Sequence, residues 1–147
     1  MLDGLFVTPA VTAITDALAS AQATDGAIVV VGHAKLAAAL GAKREVVSVG
    51  LSARAAKKLG TTLADTKTIA AKSAAAVIGV DVVDDPAWAA TLAEWSRIVR
   101  DGGAIVTVDK GQAEQASRRA LCAGLTEIEQ RHAGRTVVTS GLVTHFA

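Results

Sequence analysis

Tyrosine is absent from this chain of 147 residues, and aromatic residues make up 3% of it. Base-stacking platforms for single-stranded nucleic acid are therefore essentially missing. The single cysteine, Cys122, excludes an intramolecular disulfide framework and a cysteine-based zinc cluster. It reads as a small buried apolar residue on a helix. Neither charge sign dominates: 15 basic and 14 acidic residues leave a net charge of +1, so no overall field recruits nucleic acid or an anionic membrane. No apolar run reaches the roughly 18 residues of a membrane span. The opening MLDGLF has no basic region ahead of an apolar one, so no secretory signal is read there. One cytoplasmic domain over residues 1–147 is the expectation, without nucleic-acid or membrane partners.

What is present is apolar and regularly punctuated. The chain is 51% hydrophobic and 20% charged, the balance of a folded globule. Thr8-Pro9 reads as a helix start. Val11, Ile14, Leu18 and Ala21 then recur at helical spacing, which predicts a helix over Pro9–Gln22. Ala27–Gly32 and Glu45–Val49 are β-branched runs of the kind buried on both faces of a sheet. A helix is expected over Lys35–Leu40, and Ser52 can cap another over Ala53–Leu59 that Gly60 ends. Thr61–Ser73 is the least decipherable part, with a short edge strand at Thr61–Ala64.

The clearest unit lies between Ala75 and Asp109. A buried strand, Ala75–Val83, leads into a helix opening at Asp85-Pro86 and ending at Arg100-Asp101-Gly102-Gly103. A second strand, Ala104–Asp109, follows at once. Two apolar strands around one amphipathic helix imply a parallel pair joined by a crossover, with ligand sites at the strand ends. A helix over Gln112–Ala123 and two strands, Thr126–Gln130 and Thr136–Phe146, complete the chain. The turn at His132-Ala133-Gly134 makes those strands an antiparallel hairpin. The fold class read from this order is α/β: a three-layer sandwich around a mostly parallel sheet of six or seven strands, closed by that hairpin.

LAEWSRIVRDGGAIVTVD (Leu92–Asp109) is similar to the segment of class I S-adenosylmethionine-dependent methyltransferases that leads through a Pro-Gly-Gly turn into the fifth strand, with Asp101 in place of the proline. The Leu-Cys-Ala-Gly-Leu helix end and RTVVTSGLV resemble that family's closing hairpin. The resemblance implies a Rossmann-like, methyltransferase-like domain over nearly the whole chain. It also implies an acid and a Gly-x-Gly-x-Gly loop after the first strand. In VVVGHAKLAAAL (Val29–Leu40) only Gly32 stands as the family has it, Val30 and Ala34 take the places of the first and third glycines, and no carboxylate is near. The acid that would accept the ribose hydroxyls after the second strand is replaced by Gly50. Asp65 matches the acid that would meet the adenine amine.

The cofactor positions implied, in this degenerate form, are thus Gly32, His33, Gly50, Asp65 and Asp81, where His33 sits at the first strand-to-helix turn and Asp81 could line a pocket after the fourth strand. No nucleophile–base pair is recognisable, and no catalytic residue is assigned. The histidines His33, His132 and His145 show no metal-ligand spacing, so no metal is expected. Trp88, Leu92, Trp95 and Val99 form one helical stripe, packing on the sheet or, at Trp88 and Trp95, meeting a partner. Arg54, Lys57, Lys58, Arg118 and Arg119 read as solvated helix faces. The closing strand Leu142–Ala147 is apolar and is expected near a sheet edge, a route to a homodimer. The expected function is a non-catalytic, methyltransferase-like binding or assembly module, a pseudoenzyme with no cofactor. The alternative is a minimal methyltransferase acting on a small molecule and binding S-adenosylmethionine or S-adenosylhomocysteine.

Overall fold

Alternating apolar runs and helical stretches assemble into one sheet covered on both faces. The computed structural model describes residues 4–23, 25–52, 54, 57 and 62–145. In chain order they form helix α1 (Gly4–Ser20), strand β1 (Ile28–Val31), helix α2 (Ala34–Gly41), and strands β2 (Val46–Val49), β3 (Thr62–Leu63) and β4 (Ala74–Val80). A short 3-10 helix (Val82–Asp84), helix α3 (Trp88–Ile98), strand β5 (Val99–Lys110), helix α4 (Ala113–Cys122), and strands β6 (Thr126–Ala133) and β7 (Thr136–Leu142) follow. The sheet has seven strands in the order β3-β2-β1-β4-β5-β7-β6. The first five in that order are parallel, and β7 runs antiparallel to both its neighbours.

Because neighbouring residues of a strand face opposite sides, the central strands feed two cores. Val30, Ile78, Val106, Val108 and Val138 pack under α1 and α2, against Ile14, Leu18, Leu36 and Leu40. Val29, Val77 and Ile105 pack on the other face against Leu92, Trp95 and Ile98 of α3 and Ala120 of α4. Each fully buried Ile, Leu or Val side chain contributes about 1.5–3 kcal/mol. Gly79 is where Trp95 comes closest: a Cβ there would stand 2.1 Å from Cη2 of the indole, far inside van der Waals contact. Gly103 is also a close approach, since its Cβ would stand 2.6 Å from the Ala75 carbonyl oxygen.

Several boundaries differ from the sequence reading. Helix α1 begins at Gly4, with Pro9 inside it. Its far end comes earlier than Gln22, which turns left-handed (φ 58°) so that the Ala23 N–H can close on the Leu18 carbonyl at 2.8 Å. The expected cap at Thr8 concerns a side chain outside the described residues, as does most of the helix expected over Ala53–Leu59. Strand β4 stops at Val80, because Asp81 adopts φ 60° and Val82 and Val83 bury themselves in the 3-10 helix instead. Asp85 does not cap α3. Its Oδ1 accepts from the Ala87 N–H (2.8 Å) and its Oδ2 from the Thr91 hydroxyl (2.8 Å), fixing the approach to a helix that starts at Trp88. Helix α3 passes into β5 directly at Val99, which is therefore strand and not part of the helical stripe.

The hairpin turns at Gly134-Arg135, and β7 ends at Leu142, well before Phe146. The closing strand is also not an edge: β7 lies between β5 and β6. Beyond it, Val143 stays buried and exchanges hydrogen bonds with Gly102 and Gly103, each 2.8 Å. The charged strand β6 takes the edge instead, with the short β3 at the opposite one. Cys122 is exposed. The buried stripe of α4 runs through Ala116 and Ala120, which turns Leu121 and Cys122 outward.

Candidate functional site

Strands β1 and β4 are neighbours, yet the chain leaves β1 toward β2 and leaves β4 toward β5. That reversal opens a crevice at the carboxyl ends of the two strands, the place where open parallel sheets bind ligands. Gly32 follows β1 and Asp81 follows β4, so two of the sequence candidates flank it. Gly50 follows the adjacent β2, and Asp65 lies two residues past β3. All five cofactor candidates thus belong to one edge of the sheet.

Their chemistry is sparse. Gly32 (φ +72°) and Gly50 (φ +73°) take a backbone conformation that side chains rarely adopt, and nothing among the described residues lies within 4 Å of a Cβ built on either. His33 is the N-cap of α2: its Nδ1 accepts from the Leu36 N–H at 3.1 Å, so the imidazole satisfies a helix amide. Asp65 is exposed, and its Oδ1 accepts from the Lys67 N–H at 2.8 Å in a local turn. Asp81 is exposed, held at its backbone by the Val108 carbonyl at 2.8 Å. Val30 is fully buried within β1, so it neither forms nor obstructs the turn that begins at Gly32.

The sequence puts Asp109 at a strand end on the same edge and gives it no role. This carboxylate ends the buried part of β5, 3% exposed. Its Oδ1 accepts from the Val83 N–H at 3.1 Å, while its Oδ2 has no hydrogen-bond partner among the described residues. Burial pushes the Asp109 carboxyl above the usual range; the Val83 N–H works against that, and Asp81 and Asp84 add to it. The signal in the sequence was an acid closing a strand with no charge elsewhere in it after Ala104.

Arg119 corrects another reading. It is not a solvated charge: its Nη1 donates to the Val83 carbonyl, and its guanidinium lies 5.1 Å from the centre of the Trp88 ring. Arg118 is exposed and pairs with Glu114 at 3.1 Å, and Arg54 and Lys57 are exposed as expected. Trp88 is half-buried under Arg119. Trp95 is buried beneath Gly79, so it is a core residue and not a contact for partners.

Across the loop that follows β3, Glu94 accepts from Arg97 Nε (2.6 Å) and from the Thr66 hydroxyl (2.6 Å). Arg97 also donates to the carbonyls of Ile69 and Thr66, both at 3.0 Å, so α3 holds the loop in place. The Arg97 and Thr66 hydrogen bonds bring the Glu94 carboxyl down to about 2. His132 lies on β6 and His145 past β7, apart from His33. Among the described residues no group of three His, Cys, Asp or Glu side chains could hold a metal ion. No helix among them is long and apolar enough to cross a membrane.

Comparison with known proteins places the fold. No protein-family model matches the chain, and no curated protein matches it. Solved structures do. A T. thermophilus 16S rRNA methyltransferase, in complex with AdoMet and guanosine, superposes with a TM-score of 0.63 at 18% identity, over 82% of this chain and 36% of that one. An S-adenosylmethionine-dependent methyltransferase of Thermotoga maritima gives 0.67 at 16% identity, over 94% and 91%. A chain from the complex of a Haloferax volcanii methyltransferase activator with a candidate methyltransferase gives 0.69 at 14% identity, over 92% and 90%. The fold is therefore that of class I methyltransferases: α/β, Rossmann-like, with a seven-stranded sheet and a C-terminal antiparallel hairpin.

Proposed function

We propose that this chain is a methyltransferase-like binding or assembly module that transfers no methyl group itself. The carrying observation is the end of β2. Where the resemblance implies a carboxylate for the ribose hydroxyls, Gly50 offers no side chain, and no other acid lies in the turn Val49–Ser52. Each charge-assisted hydrogen bond lost there is worth about 1.5–3 kcal/mol, or roughly ten- to a hundredfold in affinity. His33, engaged as the α2 cap, adds no acid to the β1 turn, and Asp65 already caps its own loop. These residues do not fit S-adenosylmethionine. The ligand class proposed is a cytoplasmic protein partner or a second copy of the chain, with neither nucleic acid nor membrane involved. Leu121, 64% exposed, and the half-buried Trp88 provide apolar surface on the α3–α4 layer, and one structural neighbour comes from a complex with a methyltransferase activator. Calorimetric titration with S-adenosylmethionine and S-adenosylhomocysteine is expected to show no binding at micromolar concentration; micromolar affinity for either would overturn the proposal.

One observation favours a second reading, a minimal S-adenosylmethionine-dependent methyltransferase for a small molecule. Among the described residues, no atom stands within 4 Å of a Cβ built on Gly32 or Gly50. On that reading Gly32→Val, which puts a β-branched side chain at φ +72°, abolishes turnover. Activity left intact by Gly32→Val would count against it.

A further inference from the structure

Away from the β1–β4 crevice, a cleft of about 630 Å³ opens where β5 gives way to α4, lined by Lys110, Gly111, Gln112, Ala113, His132 and Arg135 among others. The antiparallel hairpin creates it. Lys110 is paired with Thr136 and His132 with Val137, so the end of β5, the end of β6 and the β6–β7 turn meet at one edge. The Gly111 N–H donates to the Arg135 carbonyl at 2.8 Å and ties the two turns together. Three basic residues from three segments thus line one concavity, in a chain whose net charge is only +1.

The backbone adds donors to the same place. Gln112 is left-handed (φ 56°, ψ 37°) and is followed at once by α4, an alternation that turns successive amides to one side. No side chain caps α4, and its first internal hydrogen bond is that of the Ala116 N–H. The amides before it carry the partial positive charge of the helix end. Of the acids nearby, Glu114 pairs with Arg118 at 3.1 Å, and Asp84 accepts at 3.3 Å from the side chain of Gln112 in the cleft wall. Asp109 lies buried under the 3-10 helix. The side chains of Arg135 and His132 have no ion pair or hydrogen bond among the described residues.

We propose that this cleft binds the phosphate group of a small phosphate monoester, held by the Arg135 guanidinium and the first amides of α4, with Lys110 and His132 beside them. A dianionic, multi-oxygen group matches a donor set of guanidinium, ammonium and amides, where one carboxylate would leave donors unused. The volume is that of a small-molecule site. Among the described residues no Trp, Phe or Tyr lines the cleft to stack a base. The proposal is independent of what the β1–β4 crevice holds.

The test is amide chemical-shift titration of the full chain with inorganic phosphate and glycerol 3-phosphate, with acetate and sodium chloride at matched ionic strength. Saturable shifts confined to Gly111–Glu114, stronger for the two phosphates than for acetate, are expected. Arg135→Gln and Lys110→Gln should each weaken binding at least about tenfold, while the rest of the spectrum, unchanged, shows the fold intact. Shifts that never saturate and spread over the basic surface would overturn the site. So would equal affinity for acetate, or unaltered affinity in Arg135→Gln.

Discussion

Gly79 and Trp95 show how one missing side chain fixes another. The indole edge would lie 2.1 Å from a Cβ at position 79, so Gly79→Ala is expected to lower stability by about 1–3 kcal/mol in urea denaturation. Combining it with Trp95→Leu should recover part of that loss, a non-additivity that two unconnected sites would not show. Glu94 makes a pH argument. Its folded carboxyl titrates near 2, below its ordinary value of 4.5, so its stabilising effect is complete above about 4.5 and is lost as pH falls toward 2. Stability measured from neutral pH downward should fall less steeply through that window in Glu94→Gln than in the native chain. Parallel curves would show that the Arg97 and Thr66 bonds do not act on this carboxyl. Neither relation was legible in the sequence. The Trp95 stripe was visible, but its opposite number was a residue without a side chain, and Thr66 reaches Glu94 only across a loop with no periodicity.

Helices and strands were legible wherever an apolar run carried its own stop. Strands β1 and β2 and the central part of β5 fall where the β-branched runs put them, and α2, Ala34–Gly41, exceeds the expected Lys35–Leu40 by one residue at each end. The run Ala75–Val83 misled because Val82 and Val83 are apolar for the 3-10 helix and not for the strand; the break is a left-handed Asp81, which no apolar pattern records. Helix α2 carries its own start in His33. His33→Ala should cost about 0.5–2 kcal/mol in chemical denaturation, with His33→Asn restoring most of it, because Asn also caps well. Equal stability of the two variants would show that the imidazole is not a cap. Because this residue serves the helix, a histidine at a strand-to-helix turn is not by itself a mark of ligand chemistry.

At the scale of the molecule, the sheet order decides which strand is exposed. β6 is at an edge, and Glu127, Glu129 and Arg131 lie along it, with Glu127 left-handed (φ 49°) at a register shift. Charges and an irregularity are the usual means of keeping such an edge from pairing with another chain. The Glu129→Val, Arg131→Val double variant should therefore associate more strongly than the native chain in sedimentation velocity at equal concentration. An unchanged sedimentation profile would show that the edge needs no such protection. The composition of β6 was the available sign: TEIEQRHA is charged, whereas TVVTSGL is buried along nearly its whole length, as befits an interior strand. Which neighbour each strand takes depends on long-range pairing, and local pattern does not contain it. The interior place of β7 also sets a timetable. It is the last strand in the sequence, yet it alone covers the outer side of β5, and α1, the first element, packs on both β6 and β7. A chain emerging from the ribosome therefore carries β5 with an open side and α1 without its full seat until the final hairpin is made. The sheet is complete only when that hairpin closes, so its long-range pairing is placed at the end of folding and not at the start.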